Sequence, residues 1–224
     1  MFKQDNNVDD SLQRTRIKGL CDNANEYAKK KATVLRDFIE QNIKIEFDEE
    51  ELQTIYLRME ENFDAIENYI ISTFDDLFKE IKEKQLNNEK GIIKYINMSF
   101  LKTRLLEQKG VYLIEAFDSN LYLDDVTINK ELELEFIYQS HFDKTKELYS
   151  IKDKYSPYVL DEDIKNISMQ ESNRYMLFVV EFMKQILKDI VKLDSFKNIN
   201  KEDNLTFTIS EYRTTPTLIK EYKL

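Results

Sequence analysis

The sequence predicts an α+β fold that is mainly α, and three observations support this prediction. The chain has 224 residues but only 3 Gly and 2 Pro, whereas average usage would give about 15 Gly and about 11 Pro. Because Gly and Pro mark most turns, few tight turns and several long helices are expected. Apolar residues recur every eleven positions within 48–86, and later stretches alternate as strands do. The predicted architecture is a long antiparallel helical hairpin, a small antiparallel sheet and a buried C-terminal helix.

The predicted hairpin occupies residues 1–87. Its first helix covers about 10–43, where apolar residues recur mostly at multiples of three or four. Its second helix starts at Asp48, a residue type that caps helix N-termini with its side-chain oxygen. Glu51 stands three positions later, which completes an Asp variant of the capping box.

The second helix carries an eleven-residue repeat of apolar residues. The repeat consists of three sets: Leu52, Phe63 and Phe74; Ile55, Ile66 and Leu77; and Met59, Ile70 and Ile81. This period equals 3.67 residues per turn, close to that of a straight α-helix, so the apolar stripe is expected to stay on one face. No Gly or Pro interrupts 48–86, which predicts one continuous helix of about 55–60 Å.

Residues 88–224 are predicted to form an α+β core, which can also pack with 1–87 as a single domain. The β-rich stretches are Val111–Phe117, Leu121–Leu123, 205–209 and 217–219. Residues 92–106 fit either a strand or a helix. Two further helices are expected over 131–150 and 161–193, and the second of these is apolar on several sides, which is typical of a buried helix.

Composition excludes several classes of function. The net charge is −10, and basic residues are interleaved with acidic ones, so we expect no nucleic-acid binding. One cysteine permits no intramolecular disulfide. The first ten residues lack an apolar stretch, and the longest apolar run is 175–180, so neither an export signal nor a membrane span is expected. The predicted location is therefore the cytoplasm. The chain is rich in Lys, Asn, Ile and Tyr, whose codons are AT-rich, which predicts a low-GC bacterium as the host.

The sequence lacks the usual motifs of catalysis and cofactor binding. His141 is the single histidine, which excludes every metal site that needs two. Gly19, Gly91 and Gly110 are isolated, so no glycine-rich loop can hold a phosphate. Cys21 and His141 could form a catalytic dyad, but Cys21 lies in a helical, apolar stretch, which favours a buried structural thiol. We expect no cofactor and no bound transition metal.

An acidic loop follows the predicted strand Val111–Phe117. Asp118 and Asp124 stand at positions one and seven of a hypothetical calcium loop, but Leu123 replaces its glycine. A solvated turn is therefore favoured, while binding of a hard cation by Asp118, Asp124 and Asp125 is left open as an alternative.

Arg104 lies among leucines in the segment 92–106. A partly buried arginine needs a carboxylate partner, and Asp118, Asp124 or Glu211 could supply it. A structural ion pair is favoured over a ligand-binding arginine.

By elimination, the predicted function is that of a non-enzymatic protein-binding module, an adaptor or regulator. The partner is another protein or a second copy of this chain. The predicted contact surface is helix 48–86, with Phe63 and Phe74 on the apolar stripe and Tyr56 and Phe78 beside it. One alternative is a carboxylate-based, metal-dependent protein or enzyme. Another is an acidic inhibitor, similar to an antitoxin, whose negative helix masks a basic target surface.

Overall fold

The fold is described from a computed structural model, which covers residues 6–44 and 47–223 and gives side chains from residue 22 onward. The helices are α1 (Asn6–Asn42), α2 (Glu49–Glu61), α3 (Phe63–Leu86), α4 (Glu135–Ile151), α5 (Asp161–Ile190) and α6 (Asp194–Asn198). The strands are β1 (Ile93–Phe100), β2 (Val111–Phe117), β3 (Ile128–Glu133), β4 (Lys201–Glu211) and β5 (Thr217–Lys223). The chain is therefore a mainly helical α+β protein, as predicted.

The chain divides into two compact units. Unit 1 comprises Met1–Ile45 and Lys146–Ile164, and unit 2 comprises Glu46–Thr145 and Lys165–Leu224. Helix α1 falls in unit 1, while α2 and α3 fall in unit 2. The predicted boundary after residue 87 stays a prediction. The antiparallel hairpin of α1 with helix 48–86 stays a prediction.

In unit 1, α1 packs against the segment Lys146–Ile164. The buried ring of Phe38 contacts Tyr155 edge-on, with ring centroids 5.0 Å apart. Lys31 Nζ lies 2.8 Å from the carboxylate of Asp163. The predicted buried position of Cys21 lies outside the described side chains.

In unit 2, the predicted start of α2 is confirmed. Asp48 has extended backbone angles, and its Oδ1 accepts a hydrogen bond of 2.8 Å from the N–H of Glu51. The Glu51 carboxylate accepts hydrogen bonds from Arg174 and from the hydroxyl of Tyr175, both on α5. The ring of Phe47 packs edge-on against Tyr175, with centroids 4.9 Å apart. These contacts fix the first turn of α2 against α5.

The prediction of one continuous helix over 48–86 is wrong. The helix is interrupted at Asn62, which has φ −130° and ψ 19°. Its N–H bonds to the carbonyl of Met59, three residues back, at 3.4 Å. Asparagine is a poor helix former because its side chain competes for nearby backbone groups, so helices can break without Gly or Pro.

The five-stranded sheet has the order β3-β2-β1-β4-β5. The predicted sheet was antiparallel throughout, but β1 and β4 are parallel. The reason is the connection: the chain passes through α4, α5 and α6 between β3 and β4, and a crossover of this length allows parallel pairing. The predicted C-terminal hairpin is confirmed as the antiparallel pair β4–β5.

Two local predictions are resolved by turn geometry. The ambiguous segment 92–106 becomes β1 followed by the 3-10 helix Lys102–Glu107. Leu121–Leu123, predicted to be a strand, is a 3-10 turn. The Asp118 carboxylate accepts from the N–H of Asn120 at 2.7 Å, an arrangement that turns the chain directly after β2.

One face of the sheet and the helices α2 to α6 enclose the core of unit 2. Within α5, the buried face is broad and includes Tyr175, Val179, Phe182, Met183, Ile186 and Leu187. Leu177 on the same helix is exposed. The predicted C-terminal helix is thus buried over a broad face, and the side that carries Leu177 is exposed.

Candidate functional site

Helix α2 carries two adjacent exposed large apolar side chains, and a third follows at the start of α3. Tyr56 is 53% exposed and Leu57 is 51% exposed, and Phe63, the first residue of α3, is 42% exposed. The outward face of α2 is a shallow, open depression, which we call the α2 surface: Glu49, Leu52, Gln53, Tyr56, Leu57 and Glu60. An exposed group of aromatic and aliphatic side chains is typical of an interaction site.

The α2 surface continues onto α5 through an aromatic contact. The rings of Tyr56 and Phe178 lie 5.6 Å apart in an edge-to-face arrangement. This contact holds the Tyr56 ring in place while leaving about half of it exposed. A pre-positioned aromatic ring loses little conformational entropy on binding.

Two of the four residues predicted to contact a partner are buried instead. Phe74 and Phe78 have no exposed surface. The ring of Phe78 packs on Phe74 and on Phe196 of α6, with centroids 6.0 Å and 5.2 Å away. Helix α3 therefore directs these rings into the core of unit 2, and Phe74 and Phe78 are removed from the candidate contact surface.

Negative charge is concentrated around the α2 surface. Residues 48–78 contain ten carboxylates and one arginine, a net charge of −9, compared with −10 for the whole chain. The arginine, Arg58, donates to the hydroxyl of Ser140 at 2.9 Å and lies 3.7 Å from Asp143. Several exposed carboxylates have no ion pair among the described side chains: Glu49, Glu50, Glu60, Glu61 and Asp64.

In the acidic loop after β2, the carboxylate of Asp124 binds the ammonium group of a lysine of the same chain. Lys90 Nζ lies 2.5 Å from Asp124, and both side chains are nearly completely buried, at 1% and 5% exposure. Burial alone would raise the pKa of Asp124. Hydrogen bonds from Lys90 and from the N–H groups of Asp118 and Val126 outweigh it, so the pKa is lowered. Asp125 is exposed, so the three aspartates do not converge on one point.

Arg104 is paired with carboxylates other than the three predicted. Its guanidinium lies 3.0 Å from Glu107 and 3.5 Å from Glu131. Glu211 is paired with Lys102 instead, at 2.5 Å. The expected structural ion pair thus exists, with partners from the 3-10 helix and from β3.

The second face of the sheet buries a polar network that the sequence reading missed. Its members are Asn97, Ser99, Glu115, Thr208 and Ser210, all nearly inaccessible to solvent. Ser99 donates to Glu115 at 2.8 Å, and Thr208 donates to Asn97 at 2.8 Å. Burial raises the pKa of Glu115, while the hydrogen bond from Ser99 and the charge of Arg213 oppose the increase. The alternation of Ile96, Asn97, Met98, Ser99 and Phe100 was the signal that could have revealed this face.

His141 is buried in a second polar cluster. Its Nε2 lies 2.9 Å from the hydroxyl of Ser168, which in turn lies 3.1 Å from that of Thr145. Burial, with smaller contributions from Arg174 and Lys144, lowers the pKa of His141 to about 4. The imidazole is therefore neutral near pH 7 and serves as a hydrogen-bonding group inside unit 2.

Three further findings concern metal binding, membrane spans and similarity to known proteins. Among the described residues, no group of three or more His, Cys, Asp or Glu side chains is arranged to hold a metal ion. In the same part of the chain, no helix is both long enough and apolar enough to cross a lipid bilayer. No protein-family model, curated protein or solved structure matches this chain. The physical properties of the α2 surface therefore carry the proposal of function.

Proposed function

We propose that this chain is a non-enzymatic protein-binding module, an adaptor or regulator that acts in the bacterial cytoplasm. Its binding site is the α2 surface, with Tyr56 and Leu57 at the centre and Phe63 at the margin. The partner is another protein. The observation that carries the proposal is the exposure of three large apolar side chains within eight residues of sequence.

Two physical arguments support this choice of site. Leaving Tyr56 and Leu57 in water forgoes the free energy of burial, about 25 cal/mol per Å² of apolar surface. Aromatic side chains that a protein neighbour holds in place are enriched among the residues that dominate binding energy. Tyr56 meets this description because Phe178 supports its ring.

A second candidate function is favoured by the charge of 48–78. An acidic inhibitor that masks a basic target would use the same surface, and its carboxylates would attract that target over long distances. The remaining alternative, a carboxylate-based metal site at Asp118, Asp124 and Asp125, is not favoured. The Asp124 carboxylate binds the ammonium group of Lys90.

Partner capture with matched variants tests the proposal. The full chain, immobilised in wild-type form and as Leu57→Ala and Leu86→Ala, is exposed to extract of the native host. Leu86 is an exposed leucine at the end of α3, so Leu86→Ala removes similar apolar surface away from α2. We expect the wild type and Leu86→Ala to retain the same protein and Leu57→Ala to lose it, while all three melt at similar temperatures.

Equal retention by Leu57→Ala and wild type would contradict the proposed site. Sedimentation of the purified wild type distinguishes a second copy from a different partner. A dimer that Leu57→Ala dissociates would show that the α2 surface serves self-association.

A further inference from the structure

The α2 surface combines an apolar centre with acidic ends. Glu49 and Glu60 bound the depression, and Tyr56 and Leu57 lie between them. Eleven residues separate the two glutamates, a distance of about 16 Å along the helix axis. A ligand that covers the apolar centre would therefore meet a carboxylate at each end.

We propose that the α2 surface binds a basic amphipathic helix of a partner protein, an inference that rests on the proposed function. The bound helix lays its apolar face on Tyr56 and Leu57. Its Lys or Arg side chains, about eleven residues apart, reach Glu49 and Glu60.

A helix fits this surface better than a strand does. The backbone N–H and C=O groups in the middle of α2 are bonded within the helix, so α2 offers no free edge to which a strand could add. Side-chain ridges on one helix pack into the grooves of another, and helix-in-groove recognition needs only a few apolar anchors.

The charge of the surface disfavours a second copy of the chain as the occupant. A twofold contact would place the same patch of each chain against itself. Helix α2 itself carries five glutamates and one arginine, so such a contact would bring like charges together. A basic helix would instead neutralise carboxylates that have no ion pair among the described side chains.

Binding of two synthetic peptides to the full chain tests the inference. Both peptides are amphipathic, about 18 residues long, and share the same leucine positions; one has Lys and the other Glu on its polar face. Fluorescence anisotropy measures their affinity at about 0.1 M and about 1 M salt, where the Debye length is about 10 Å and about 3 Å. We expect the Lys peptide to bind and to weaken at least about tenfold at high salt, and the Glu peptide not to bind.

Two matched pairs of variants show whether the binding is local. Leu57→Ala should weaken the Lys peptide by about tenfold, as expected for a central contact residue, and Leu86→Ala should not. The double variant Glu49→Gln/Glu60→Gln should weaken binding of the Lys peptide more than the double variant Asp125→Asn/Asp203→Asn does. The second double variant removes two exposed carboxylates elsewhere. Both double variants lose two negative charges, so they have the same net charge.

Several outcomes would overturn the inference. These are failure of the Lys peptide to bind, equal binding of the Glu peptide, no effect of salt, or equal effects within either pair of variants. The proposed function is tested separately by partner capture. If partner capture depends on Leu57 but the Lys peptide does not bind, the α2 surface binds a partner of different chemistry. If capture does not depend on Leu57, the proposed function itself fails.

Discussion

Helices α2 and α3 continue the same eleven-residue apolar repeat, but their environments differ. On α3 the repeat begins with the exposed Phe63, and its later members Ile70, Phe74, Leu77 and Ile81 are completely buried in the core of unit 2. On α2 the repeat residue Ile55 is also completely buried, whereas Tyr56 and Leu57, which lie outside the repeat, are exposed. The comparison teaches that the repeat identifies the face of each helix that meets the core, but it does not predict the burial of apolar side chains beside it: Phe78 is buried, whereas Tyr56 and Leu57 are exposed.

The carboxylates of the two helices differ in the same way. On α3, Asp75 pairs with Lys79 at 2.6 Å and accepts from Ser195 at 2.5 Å, and Glu80 pairs with Lys130 at 2.7 Å. The exposed glutamates of α2 have no such partners among the described side chains. Asp75 and Glu80 of α3 are thus paired within the chain, while α2 has both apolar and charged groups available to a partner.

The largest effect is expected from Phe78→Ala on α3. This substitution leaves a cavity against Phe74 and Phe196 and should lower the free energy of unfolding by about 3–5 kcal/mol. Phe63→Ala removes the same side chain from an exposed position and should cost much less. Denaturant titration of both variants measures the difference, and a loss of similar size from each would break the comparison.

Substitution of a buried carboxylate should also lower the free energy of unfolding more than substitution of an exposed one. Asp124→Ala leaves the buried ammonium of Lys90 without its carboxylate and should cost about 3–5 kcal/mol. Asp125→Ala, at the exposed neighbouring position, should change the free energy of unfolding by less than about 0.5 kcal/mol. Equal losses from the two variants would show that the Lys90–Asp124 pair does not stabilise unit 2.

The same ion pair predicts a dependence of stability on pH. The pKa of Asp124 is lowered from its ordinary value of 3.8, so the folded chain binds this proton more weakly than the unfolded chain does. The stabilisation is complete above the unfolded pKa and is lost as the pH falls through the folded pKa. Wild type should therefore lose more stability than Asp124→Ala below about pH 4, which acid titration at fixed denaturant can measure.

The starts of the two helices should respond differently to substitution. Asp48→Ala removes the hydrogen bond to the N–H of Glu51 and should cost about 0.5–2 kcal/mol. Asn62 precedes α3 but makes no side-chain capping bond within the described residues. Asn62→Ala should therefore change stability little, and thermal melting of both variants would sharpen the contrast. A large loss from Asn62→Ala alone would contradict it.

Local signals in the sequence predicted most of the elements. The capping residue Asp48, the strand Val111–Phe117 and the C-terminal hairpin all depend on neighbouring residues, and the structure confirms them. The parallel pairing of β1 with β4 was missed because it joins segments about a hundred residues apart. Alternating apolarity carries no information about strand direction.

The candidate site was predicted in part for the same reason. Tyr56 and Phe63 are exposed as expected, whereas Phe74 and Phe78 are buried because α3 lies against the sheet and α6. The cation that binds Asp124 was missed because Lys90 is 34 residues away and has no local pattern of its own. Contacts that depend on tertiary packing could not be read from spacing alone.

One pair of substitutions tests the central claim, that the repeat residue Leu77 of α3 belongs to the core whereas Leu57 of α2, which lies outside the repeat, is available to a partner. Leu57→Ala and Leu77→Ala delete the same atoms from side chains that are 51% and 0% exposed. Equilibrium unfolding in denaturant should show a loss of about 3–5 kcal/mol for Leu77→Ala and less than about 0.5 kcal/mol for Leu57→Ala. Losses of equal size would contradict the account, because they would place Leu57 in the folded core rather than on a binding surface.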